Sequence, residues 1–234
     1  MKLIFTLSLA VCLVGCRNDT ANSEAKTGDT LILSGQVYIS EENYDIGVHE
    51  YTKFSGNLSI TDGGFGGDGK IKNGRLSYTI GRPSISLNSI KFLQQEYDKL
   101  GFVAIEASVD DVGYATVNLG ISGSGEYHSL KRENITFSFD VSSADYLGHN
   151  ENIVFVYVDK DVSISGKGAS ITEDKTSILI TTKDFNLSLK KGWNTVYTKT
   201  EGKGKINDMG FDNFTVEIEL SMKSPSLKWV LYKR

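Results

Sequence analysis

At 234 residues the chain is long enough to bury a core without covalent staples, and two cysteines exclude a disulfide-dense scaffold. Its 25 Lys and Arg against 29 Asp and Glu give a formal charge of −4. The basic residues are scattered apart from pairs such as Lys131-Arg132 and Lys190-Lys191, which argues against a nucleic-acid partner, since phosphate binding needs a concentrated basic face.

The first element is MKLIFTLSLAVCLVGC, where Lys2 supplies a positive start and Leu3 to Val14 form an apolar run interrupted only by Thr6 and Ser8. That is the shape of a secretory signal. The run is too short to span a hydrocarbon layer of roughly 30 Å as a helix, so residues 1–16 are expected to be removed. Leu13-Val14-Gly15-Cys16 resembles the lipobox of bacterial lipoproteins. The resemblance implies cleavage before Cys16, diacylglycerol on its thiol and acylation of the new amine. One acyl chain binds a membrane marginally, whereas two or three hold it almost irreversibly, at about 0.8 kcal/mol per buried CH₂. Cys12 leaves with the leader, so no disulfide is available to the mature chain, whose charge without Lys2 is 24 basic against 29 acidic residues, or −5.

Residues 17–30, RNDTANSEAKTGDT, contain no large apolar side chain and are expected to form a flexible tether. From Leu31 onward the dominant signal is two-residue alternation, the period of a strand with one buried face. It recurs at Phe54, Leu58 and Ile60; Leu76, Tyr78 and Ile80; Val103, Ile105, Ala107 and Val109; and Ile135, Phe137, Phe139 and Val141. Later sets are Val154, Val156 and Val158; Phe185, Leu187 and Leu189; Phe214, Val216, Ile218 and Leu220; and Leu227, Trp229 and Leu231. Turn residues such as Asn73-Gly74, Asp159-Lys160-Asp161 and Lys191-Gly192 separate these runs. The expectation is an all-β chain, an antiparallel β-sandwich-like architecture of about a dozen short strands wetted on one side. One segment departs from it: Leu87, Ile90, Leu93, Tyr97 and Leu100 recur at helical steps, with Asn88 or Ser89 to cap and Gly101 to end, which predicts a short helix at 89–100. Residues 31–234 are read as one β-rich module, with the best sub-boundary near 83–101.

The stretch Gly63-Gly64-Phe65-Gly66-Gly67-Asp68-Gly69-Lys70-Ile71 partly fits three motifs. As GxGxxG it should lead into a helix, but Asn73-Gly74 turns the chain instead. As GxxxxGK it lacks the hydroxyl that holds Mg²⁺, because Ile71 stands there. As a Ca²⁺-binding nonapeptide it occurs only once. A glycine loop joining two strands is the simpler reading. Asp159, Asp161 and Ser163 imitate an EF-hand start, but Ile164 replaces the obligatory glycine, and strand alternation explains the spacing. His49, His128 and His149 are too far apart for a zinc signature, GISGSG at 120–125 does not satisfy GxSxG, and acidic pairs such as Glu41-Glu42 read as turn residues, so no catalytic residue, metal or cofactor is assigned. Trp193 and Trp229 are expected in the core or at its rim. Tyr44, His49 and Tyr51, between the first two strands, are the candidate ligand contacts, because tyrosine offers rigid contact area and a stacking face.

Beyond the lipobox the layout resembles β-rich lipoproteins of host-associated Gram-negative-type bacteria, and GKIKNGRLSYTI resembles the closing strands of carboxypeptidase-regulatory-like β-sandwiches. The expected function is a lipid-anchored, non-enzymatic module binding a protein or glycan at the cell envelope, with the outer membrane or cell surface favoured. The alternatives are a structural envelope lipoprotein and a hydrolase whose site is assembled from distant residues. The latter would need a pocket holding acidic residues or histidine with shifted pKa values.

Overall fold

The computed structural model describes residues 23–43, 48–91, 106–122, 124–140, 144–173, 178–207, 210–223 and 225–233. The described chain is all-β. In order the strands are β1 Ser23–Thr27, β2 Thr30–Asn43, β3 Val48–Lys53, β4 Leu58–Thr61, β5 Asp68–Lys72, β6 Arg75–Ile80, β7 Asn88–Ser89, β8 Glu106–Ala107 and β9 Gly113–Val117. They continue with β10 Leu119–Ser122, β11 Tyr127–Asp140, β12 Asp145–Val158, β13 Val162–Glu173, β14 Ile178–Leu189, β15 Gly192–Asn207, β16 Gly210–Ser221 and β17 Lys228–Lys233. Among the described residues no helix is long and apolar enough to cross a membrane.

Alternation does what the sequence requires of it in β6, where Leu76, Tyr78 and Ile80 are buried and Arg75, Ser77 and Thr79 are exposed. Leu31, Leu33 and Val37 on β2 point the same way. These strands curl until the sheet meets itself: β2 pairs β6, β6 pairs β5, β5 pairs β4, β4 pairs β10, β10 pairs β11, β11 pairs β17, and β17 returns to β2. All of these pairings are antiparallel except the closing one, in which Trp229, Val230 and Leu231 run parallel to Val37, Tyr38 and Ile39. In place of the expected two-sheet sandwich, this part of the chain is a closed seven-stranded barrel, whose inward positions alternate in sequence just as a sandwich's would. Closure removes free sheet edges. Inside it Trp229 stacks on Phe155 with ring centres 5.9 Å apart and donates its indole N–H to the Ser34 carbonyl at 3.2 Å.

A second part of the sheet grows from β11. It runs from β12 to β15, β16, β14 and β13, with β14 and β16 parallel, and β9 takes over from β11 as the neighbour of β12 at Phe155. This sheet folds so that β13 and β14 lie over β12 and β15, enclosing a core of Val156, Val158, Val162, Ile164, Phe185, Leu187, Leu189 and Val196. One-sided wetting therefore fails at Ile153–Val158. Ile153, Phe155 and Tyr157 join the barrel core while Val156 and Val158 join the second core, so this strand segment is buried on both faces. Both aromatic anchors lie where the sequence places them: Trp193 and Trp229 are buried.

Several sequence expectations change. Among the described residues the strands are seventeen rather than a dozen, and seven of them are 12 to 16 residues long. The later half of the expected tether is β1, whose backbone pairs with β2 through a turn at Gly28 and Asp29. Backbone hydrogen bonding at a sheet edge needs no large apolar side chain, which is why composition alone misses it. Residues 1–22, with Cys16, lie outside the described residues. So does most of the expected helix at 89–100: Asn88 and Ser89 pair with β9, Ile90 and Lys91 are helical, and residues 92–105 fall outside.

Candidate binding site

The glycine stretch is the loop between β4 and β5, and it folds around a carboxylate of its own chain. Asp62 accepts the backbone N–H groups of Gly64 at 3.2 Å, Phe65 at 3.1 Å and Gly67 at 2.6 Å. Gly63, Gly64 and Gly66 supply the positive φ that turns these amides inward. Such a ring of amides is an anion cradle, and here Asp62 fills it, so no phosphate is needed to explain the glycines. Phe65, at its centre, is buried against Trp193. Asp62 also helps burial to push the neighbouring Tyr78 phenol up to about 12.

The acidic residues of the imitated EF-hand part company. Asp159 accepts the Gly113 N–H at 2.8 Å, Asp161 takes Lys190 and the Lys191 N–H, and Ser163 lies on β13 between buried Val162 and Ile164. Among the described residues no group of three His, Cys, Asp or Glu side chains is placed to hold a metal ion. His149 lies on β12 between two carboxylates, with Nε2 3.6 Å from Glu151 and Nδ1 3.5 Å from Glu201. Glu151 is held below the usual carboxylate range chiefly by the Tyr197 hydroxyl that donates to it, and Glu201 chiefly by Lys199. Both shifts run opposite to what a general acid at neutral pH requires.

Of the three proposed contact residues, Tyr44 lies outside the described residues, and His49 is described only through its backbone pairing opposite Glu42. On either side of Tyr44, β2 reaches Asn43 and β3, with His49 and Tyr51, begins at Val48. Tyr51 is described, and the fold gives it company from far along the chain. Its hydroxyl accepts the Ile135 N–H of β11 at 2.8 Å. The Lys228 ammonium of β17 stands 4.1 Å from its ring centre and 5.6 Å from that of Tyr38 on β2. On the adjoining strands Lys131 lies 4.9 Å above the ring of Tyr232. The result is a shelf of three half-exposed tyrosines carrying two exposed lysines, within a chain of net negative charge. Cation–π contacts at such partly exposed sites contribute about 0.5–1 kcal/mol each.

Beneath the shelf lies Glu133, 1% exposed, with its Oε1 making no hydrogen bond. Burial raises its pKa to about 7, against a smaller pull from Lys131. Burial likewise pushes the Tyr51 phenol up, the bond from Ile135 draws it back, and Glu133 raises it further. Sequence reasoning had no means of joining Tyr38, Lys131, Glu133 and Lys228 to Tyr51. They come together only through the parallel β17–β2 pairing and the approach of β3 to β11 at Val48 and Thr136.

The second core contains a cavity of about 150 Å³. Its floor is Val154, Val156, Val196 and Thr198, its roof Ile164, Phe185, Leu187 and Leu189, and Leu220, Ile90, Tyr114 and Thr116 complete it. No known protein family, curated protein or solved structure matches this chain.

Proposed function

We propose that the chain is a lipid-anchored, extracytoplasmic module that binds a protein or glycan bearing acidic groups and catalyses no reaction. The lipobox carries the anchor, at Cys16, and the outer membrane or cell surface is the favoured location. The observation that supports binding is the shelf at Tyr51, where the exposed Lys228 ammonium rises from the rings of Tyr51 and Tyr38. Tyrosines at an interface supply rigid contact area at low entropic cost, and the lysines add charge selection more than raw affinity. An acidic partner fits two cations on an otherwise negative chain. In this reading the part of the sheet beyond the barrel works as a sandwich-like half, β12 and β15 against β13 and β14, and the barrel holds β2 and β17 in register under the shelf.

The test is a binding screen of the full chain carrying Cys16→Ser against envelope proteins, host surface proteins and acidic glycans. The reading expects a saturable partner whose affinity falls as salt rises. It is withdrawn if none of the three sets yields one.

A further inference from the structure

The cavity between the two layers of the second core is independent of the shelf and has its own chemistry. Its wall is hydrocarbon apart from the hydroxyls of Thr116, Thr198 and Tyr114, and no charged side chain lines it. Thr116 is exposed, so the lining reaches solvent there, whereas Ile164, Phe185, Leu187, Leu189 and Val196 are buried. Water needs two to four polar partners to stay in such a space, and the buried residues Ile164, Phe185, Leu187, Leu189 and Val196 offer it no polar side-chain atom. An engineered apolar cavity of roughly 150 Å³ takes up benzene.

We infer that this cavity is a binding site for a small, uncharged, apolar ligand of about benzene size. The size limit follows from the volume. The exclusion of charge follows from the lining, since an ion placed among Phe185, Leu187 and Val196 would lose its hydration with no group to replace it. Long strands bring these residues together: β12 and β15 form one wall and β13 with β14 the other, so the cavity is built into the fold and not lent by a loop.

The probe is benzene, added to the full chain with Cys16→Ser so that no acyl group of its own competes, and benzoate is the charged control. Methyl NMR should show saturable shifts at Leu187, Leu189, Val196 and Leu220 with benzene, a rise in Tm, and no such shifts with benzoate. Val196→Phe fills the cavity from β15 and should weaken the benzene response at least tenfold while the remaining methyl dispersion is kept. If that variant does not fold, Leu220→Phe fills the same space from β16. Absence of shifts in the parent, equal response to benzoate, or undiminished benzene binding by the folded filled variant would each overturn the inference.

Discussion

Replacing Glu133 by glutamine tests a buried carboxyl under the shelf. The side chain is 1% exposed, and burial lifts its pKa from 4.5 to about 7. It therefore holds its proton more tightly in the folded chain than in the unfolded one. Its ionisation costs nothing below pH 4.5, begins to cost as pH rises past that value, and costs in full above about 7. A lift of that size corresponds to about 3 kcal/mol between the two protonation states. Glutamine keeps the shape and cannot ionise. Glu133→Gln should leave stability nearly unchanged at pH 4.5 and raise it by about 3 kcal/mol at pH 8.5, or roughly 6–12 °C in Tm for a chain of this length. Thermal unfolding followed by circular dichroism at both pH values measures this. A variant no more stable than the parent at pH 8.5, or one with the same gain at both pH values, would refute a desolvated carboxyl at this position.

Trp229→Ala removes the indole that fills the barrel and stacks on Phe155, and should cost roughly 3–5 kcal/mol in urea unfolding. Asp62→Ala leaves the amides of Gly64, Phe65 and Gly67 without their acceptor and should cost on the order of 3 kcal/mol by the same assay, with Asp62→Asn recovering part of it. If Asp62→Ala unfolds at the parent's denaturant concentration, the loop does not depend on its carboxylate. For the anchor, mass spectrometry of the membrane fraction should find acyl groups on an N-terminal Cys16, and Cys16→Ser should block lipidation and leave the precursor uncleaved; an unmodified mature cysteine would remove the lipoprotein assignment.

The strands were legible in the sequence wherever one face is wet, as in β6, because Leu76, Tyr78 and Ile80 alternate with exposed residues. They were less legible where both faces are buried. Ile153 to Val158 presents an unbroken apolar run because it serves two cores, and alternation alone cannot show that. Barrel closure depends on Trp229 pairing beside Val37, nearly the whole chain away, and no local pattern encodes such a partner. The glycine loop was legible as a loop, but an aspartate immediately before the first glycine carries no local sign that it will accept three of the loop's amides, as Asp62 does. Tyr51 was legible as an amphipathic side chain in a charged neighbourhood. Its cation, Lys228, lies on the last strand beside a tryptophan, where nothing local distinguishes it from an ordinary exposed lysine.

The most direct test of the binding account is the affinity of the screened partner for the Cys16→Ser chain with and without Tyr51→Ala. The loss of a central tyrosine contact is typically worth about 2 kcal/mol or more, so binding should weaken at least thirtyfold while the chain still unfolds cooperatively, its stability lowered only by the lost bond from the Ile135 N–H. Lys228→Ala should weaken it less and flatten its dependence on salt. Unchanged affinity in a folded Tyr51→Ala chain would contradict the placing of the binding surface on the shelf that Tyr38, Tyr51 and Lys228 share.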